Sequence, residues 1–197
     1  MCPPLPRSPR EGPDTEWEGP HSAAPSLEAD ELTGLGHETL TEDELSFLRA
    51  AIAEAGKAKE RGRHPFGSIV VDASGNVVAR AGNNSMPPAG DPTQHAELRA
   101  AAAAFGVLGV EGMAAATLYT SAEPCAMCSG AAYWTGVGRI VYALSERRLL
   151  SLTGNDPDNP TLSLPCRDVV SRGQRMIAVV GPLLEDEAAA AHEGFWR

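Results

Sequence analysis

The chain has 197 residues, 43% of them hydrophobic, and a formal net charge of −10. That content supports one ordinary core, hence one domain with a tail. No stretch approaches the roughly 20 apolar residues of a membrane span, residues 1–20 lack the apolar segment of a secretory signal, and the acidic balance argues against a polyanionic partner such as nucleic acid.

Residues 1–38 are rich in Pro, Gly, Ser and acids and carry no apolar periodicity, so a disordered extension is expected there. Residues 1–40 hold eight acids against two arginines, a net of −6 out of the −10. The remaining stretch, 39–197, is expected to form the single domain. Thr41-Glu42-Asp43-Glu44 has the capping-box pattern that opens a helix. Leu45, Leu48, Ile52 and Ala55 follow at helical spacing, with Gly62 as the stop. From Gly67 the period changes. Ser68 to Val71 reads as a buried strand, Ala73 to Asn76 as a turn, and Val77 to Arg80 as the hairpin partner. Three prolines and a glycine make Ser85–Pro92 a loop. Thr93–Phe105 is alanine-rich and predicted helical.

Thr117–Thr120 is a third strand, and a helix is predicted to begin around Cys125. Arg139–Ala143 is a fourth strand, residues 144–175 read as irregular, Met176–Val180 is a fifth strand, and Leu184–Trp196 a last helix. A hairpin followed by strand–helix alternation predicts an α/β fold, a three-layer α/β/α sandwich with a five-stranded mixed sheet. The direction of the fifth strand stays open.

Two short motifs carry the chemistry. The first is His95-Ala96-Glu97, and the second, 30 residues on, is Pro124-Cys125-Ala126-Met127-Cys128. One histidine and two cysteines hold zinc on three sides and leave a fourth position for water. Cys125 and Cys128 share a helix face at i and i+3, so both sulfurs can reach one ion. Glu97 is free to move protons. A closed structural site would want a fourth soft ligand nearby, but Cys2 lies in the tail and Cys166 far along the chain. A thiol-redox pair would leave His95 and Glu97 without a role. Zinc thiolates and unrelated cysteines suit a reducing cytoplasm. Cys166 reads as a free, partly buried thiol, His64 as a packing residue, and His192 as a surface residue near a helix end.

The H-x-E and P-C-x-x-C pair is the signature of zinc deaminases of nucleobases. From His64 to Ala143 the chain resembles the cytidine-deaminase-like superfamily. His64-Pro65-Phe66-Gly67, Gly82-Asn83-Asn84, Asp91-Pro92-Thr93, Leu118-Tyr119-Thr120-Ser121 and Ala132-Tyr133-Trp134 are most similar to its bacterial guanine deaminase branch. Past Ala143 the likeness fades, and the G-F-D-D-like stretch of that branch is missing. The resemblance implies a homodimer. It implies one catalytic zinc on His95, Cys125 and Cys128, with Glu97 carrying protons between water, ring nitrogen and leaving amine. It implies substrate contacts from Asn84, from the backbone N–H of Ala96, and from Phe66 and Trp134 as aromatic walls. The expected substrates are water and a free nucleobase or nucleoside, guanine-like purines first. A tRNA adenosine deaminase, a pyrimidine or triazine deaminase, and a non-catalytic zinc module remain alternatives.

Overall fold

The computed structural model describes residues 40–154, 156–157 and 159–196. The expected extension, 1–38, lies outside the described residues. Helix α1 (Glu42–Glu60) opens with the capping box: the Thr41 hydroxyl accepts from the Glu44 amide, and the Glu44 carboxylate accepts from the Thr41 amide. This satisfies two amides that have no partner inside the helix. Leu48, Ala51, Ala55 and Ala58 form its buried stripe. Gly62, at φ +67°, closes the helix where its amide reaches the Lys59 carbonyl.

Strands β1 (Gly67–Val71) and β2 (Val77–Gly82) make the hairpin. The Asp72 carboxylate accepts from the Ser74 and Asn76 amides and so fixes the turn. Helix α2 (Ala96–Ala114) is longer than the predicted Thr93–Phe105 and starts later; it breaks at Gly109, where φ is +62°. Strand β3 (Thr117–Ala122), helix α3 (Ala126–Thr135) and strand β4 (Arg139–Leu144) follow.

Residues 144–175, expected to be irregular, contain two helices: α4 (Glu146–Thr153) and α5 (Cys166–Ser171). The Ser145 hydroxyl caps α4 by accepting from the Arg148 amide. Strand β5 (Ala178–Val180) is shorter than predicted, and so is α6 (Glu185–Ala190), which gives way to turns before the end of the expected Leu184–Trp196 helix.

The sheet order is β2-β1-β3-β4-β5. The β1 strand runs antiparallel to β2 and β3, whereas β3, β4 and β5 run parallel. The open direction of β5 is thus parallel, reached through the crossover that holds α4 and α5. One core lies under α1 and α6, where Leu48 and Ala188 meet Ile69, Tyr119 and Val141. The other lies under α2 and α3, where Ala100, Ala104 and Ala132 meet Val70, Leu118 and Ile140. These two cores, one on each face, make the three layers expected. No helix among the described residues is long and apolar enough to cross a membrane.

Candidate metal centre

The β3 strand ends at Ala122, and the chain enters α3 through Glu123-Pro124-Cys125. Cys125 is the N-cap of α3, and His95 is the N-cap of α2. Two helix N-termini therefore meet at one point. Their free amides and positive dipole ends favour negative charge there.

The donor atoms of His95, Cys125 and Cys128 lie within 4.8 Å of one another. Cys125 Sγ is 3.6 Å from His95 Nδ1. A tetrahedral zinc with ordinary bonds to sulfur and nitrogen needs about 3.6 Å along that edge. Both the spacing and the donor set fit zinc. Glu97, at 5% exposure, sits beside the group with its Oε2 3.6 Å from Cys128 Sγ.

The electrostatics of the protein atoms alone are informative. A hydrogen bond from the Cys128 thiol is the main reason Cys125 is held down to about 4, with His95 assisting and burial opposing. Cys128 is pushed up by the proton it shares with Cys125 and by burial. His95 is raised by its contact with Cys125, against burial. Thiolate ligation requires Cys128 to release its proton, so metal uptake should release acid. Burial lifts Glu97 to about 7, and the charge on Cys125 adds to the rise. A carboxyl titrating near neutrality can both take and give a proton.

The other predicted residues are placed as follows. Ala96 is buried in the first turn of α2, where its amide has no partner inside the helix. Asn84 is half-buried and tied by its backbone amide to the Gln94 carbonyl, 2.9 Å away, next to His95. The Asn83 amide donates to the Phe66 carbonyl at 2.9 Å. The Phe66 backbone thus adjoins the same edge of the fold. The Phe66 ring packs with His64, His192 and Trp196. Trp134 is not brought to the group. It is 77% exposed and meets Tyr133 edge-on. Six helical residues past Cys128 turn it far from the ligand face.

Three residues here differ from, or were missed by, the reading of the sequence. Glu123 is buried, and its two oxygens accept from the Glu146 amide and the Cys166 amide, each at 3.1 Å. It thereby caps α4 and α5 together. The only signal for it was an acid directly before Pro124-Cys125. Cys166 is fully buried rather than partly so, and burial pushes its thiol up to about 12. His192 is not a surface residue: it is 2% exposed, stacked on Trp196 at 5.9 Å. Its Nδ1 accepts from Trp196 Nε1, and its Nε2 has no partner among the described residues.

Burial, then the charges of Lys59 and His64, hold His192 down to about 4 from the ordinary 6.5. The unfolded chain accepts a proton near pH 6.5 that the folded chain refuses until about 4. Its contribution is therefore complete above pH 6.5 and lost as pH falls towards 4, about 3 kcal/mol in all. Unfolding by denaturant should show a flatter pH dependence in His192→Gln across that window. An unchanged slope would mean that His192 is not the group responsible.

An α/β domain with two helix N-termini on one His-Cys-Cys set, and a buried carboxyl beside it, is a zinc-dependent hydrolytic site. The family profile described as the cytidine and deoxycytidylate deaminase zinc-binding region matches residues 41–144, and the chain belongs to that family. It is an enzyme of hydrolytic C–N cleavage, with zinc as its cofactor. It is 45% identical over 157 residues to a "probable cytosine deaminase" of Schizosaccharomyces pombe, covering 80% of this chain and 94% of that one. It is 38% identical over 110 residues to the guanine deaminase of Bacillus subtilis, covering 55% and 65%. A solved structure of a tRNA:A34 deaminase, described for A-to-I editing at the wobble position, aligns with a TM-score of 0.58 at 29% identity. That alignment covers 75% of this chain and 99% of the other.

Proposed function

We propose that this enzyme removes the exocyclic amine of a free nucleobase, with cytosine as the first substrate to test and guanine the second. The observation that carries this is the extent of likeness to the Schizosaccharomyces pombe protein. It runs over 157 residues, longer than the span 41–144, and so takes in segments outside the zinc-binding region. Guanine, favoured by the short motifs around Phe66 and Asn84, keeps its place through the Bacillus subtilis relative. The acidic chain, at −10, favours a small substrate over tRNA.

In this reading His95, Cys125 and Cys128 hold zinc, which when bound makes water acidic enough to supply hydroxide near neutral pH. Glu97 takes a proton from the attacking water and passes it to the ring nitrogen beside the amine-bearing carbon. It then takes the remaining proton from the hydroxyl newly bonded to that carbon and delivers it to the amine, so that the carbonyl forms as the C–N bond breaks and ammonia leaves. Phe66 supplies a wall for the flat ring, and the amides of the first turn of α2, that of Ala96 among them, supply donors. Asn84 contacts the base. A homodimer belongs to the same reading through the resemblance, and Trp134 is available there only on the outer face of α3.

The test is ammonia release by zinc-loaded protein from cytosine, guanine, adenine, cytidine, guanosine and a tRNA anticodon stem-loop. Turnover of cytosine or guanine is the expected result. Turnover of the stem-loop alone would overturn the reading.

A further inference from the structure

The loop between β2 and α2 is built around one side chain, Asn84. Its Nδ2 group carries two protons, and both are used. One goes to the Ala89 carbonyl at 3.3 Å and the other to Gln94 Oε1. Gln94 in turn donates from Nε2 to Asp91 Oδ2 at 2.7 Å. The other oxygen of Asp91 accepts from the Thr93 amide at 2.8 Å and from the Thr93 hydroxyl.

The direction of this chain of bonds is fixed by chemistry. An amide side chain can be turned over, but a carboxylate and a backbone carbonyl only accept. Asp91 therefore forces Gln94 to present Nε2 to it and Oε1 to Asn84. Asn84 must answer with Nδ2. The Ala89 carbonyl independently demands the same orientation. Asn84 Oδ1 is left as the polar atom to which no described residue donates. The backbone enforces the arrangement as well. A Cβ on Gly90 would stand 1.6 Å from the Asn84 carbonyl oxygen, so only glycine lets the loop wrap this closely.

We infer that Asp91 and Gln94 are positioning residues: through a one-way hydrogen-bond relay they lock the amide of Asn84 in the orientation that receives the base. This rests on the reading of Asn84 as a substrate contact. It adds a device that holds the contact in place before substrate arrives, so that no amide rotation has to be arrested on binding.

The relay can be reversed and then repaired by exchanging atoms of nearly equal size. In Asp91→Asn, Oδ1 keeps the two Thr93 donors and the new NH2 faces Gln94. Donor meets donor, Gln94 turns over, and the conflict passes to Asn84. Adding Gln94→Glu gives the new NH2 an acceptor and returns an acceptor to Asn84 Nδ2. The double variant therefore returns Asn84 to its original orientation, with the bond between 91 and 94 running the other way.

Two measurements on zinc-loaded protein test this. Without substrate, proton exchange at the Asn84 side-chain amide, followed by NMR, should be slow in the wild type, faster in Asp91→Asn, and slow again in Asp91→Asn/Gln94→Glu. With cytosine or guanine, whichever the wild type turns over, KM should rise on the order of tenfold or more in the single variant. It should return to within about threefold in the double, with kcat and zinc content little changed. A purely structural contact would not be rescued in KM by moving one negative charge from position 91 to position 94. Unchanged exchange and KM in Asp91→Asn, or a double variant no better than the single, would overturn the relay. A wild type that releases ammonia from no free base would instead overturn the substrate reading and leave the exchange result standing.

Discussion

Glu97→Gln should lower turnover of the free base by on the order of 10² to 10⁴, with zinc still bound at one ion per chain. Glutamine has nearly the same shape, so the 5% exposed pocket beside Cys128 stays filled. What it lacks is a site that can accept a proton from water and give it up again. Burial, with the charge on Cys125 adding, lifts the wild-type carboxyl to about 7 in the zinc-free protein, and a carboxyl can both accept and return a proton where an amide cannot. Among the described residues the group that could hold the metal is His95, Cys125 and Cys128, and Glu97 touches it through Cys128 Sγ without being one of the three. Metal analysis separates this role from ligation. If Glu97→Gln loses its zinc, the side chain is a ligand; if it keeps full activity, the proton carrier is another group.

Cys128→Ser should have the second large effect, on both metal content and stability. Cys128 is 1% exposed and lies where the starts of α2 and α3 converge. With serine there, two ligands remain and no thiolate can bridge to α3 from the third helical position. Activity should disappear, and zinc should be lost on gel filtration. Zinc bound to the folded chain and not to the unfolded one stabilises by about 4 kcal/mol when free metal is 1,000 times its Kd. For a domain of this size that amounts to roughly 8–16 °C in Tm. A chelator should therefore lower the Tm of the wild type towards that of Cys128→Ser and leave the variant unmoved. A variant that retains one zinc per chain would refute the ligand assignment.

The parts of this fold legible in the sequence are those fixed by near neighbours or by narrow chemistry. The Thr41 to Glu44 box needs four consecutive residues, and both of its bonds form. The β-branched run at Ile69-Val70-Val71 lies buried on both faces, as such a run should. His95, Cys125 and Cys128 are recognisable because few residue types bind zinc and their spacing places two of them on one helical turn. The helices α4 and α5 escaped because they are short, 8 and 6 residues, and bury only two side chains apiece. That is too little for a period to register, although the Ser145 cap was there to be read. His192 was misplaced for a different reason. Its burial comes from Phe66, His64 and Trp196, and two of these lie more than 120 residues away in the chain. The side of α3 that Trp134 takes was not legible, because an aromatic on a ligand-bearing helix can face either way, and here it faces out.

Glu123 gives the fold a rule for grafting. One buried carboxylate, two residues before Cys125, holds the first amides of both α4 and α5. Those helices lie in the stretch past Ala143 where the likeness to the guanine deaminase pattern fades, while Cys125 belongs to the part that keeps it. Residues 145–171 are also tied to Glu185 through Ser145, to Asp186 through Arg148 and to Tyr142 through Arg167. Transplanting that segment between relatives therefore means matching four anchors, with an acid at position 123 serving both helices at once.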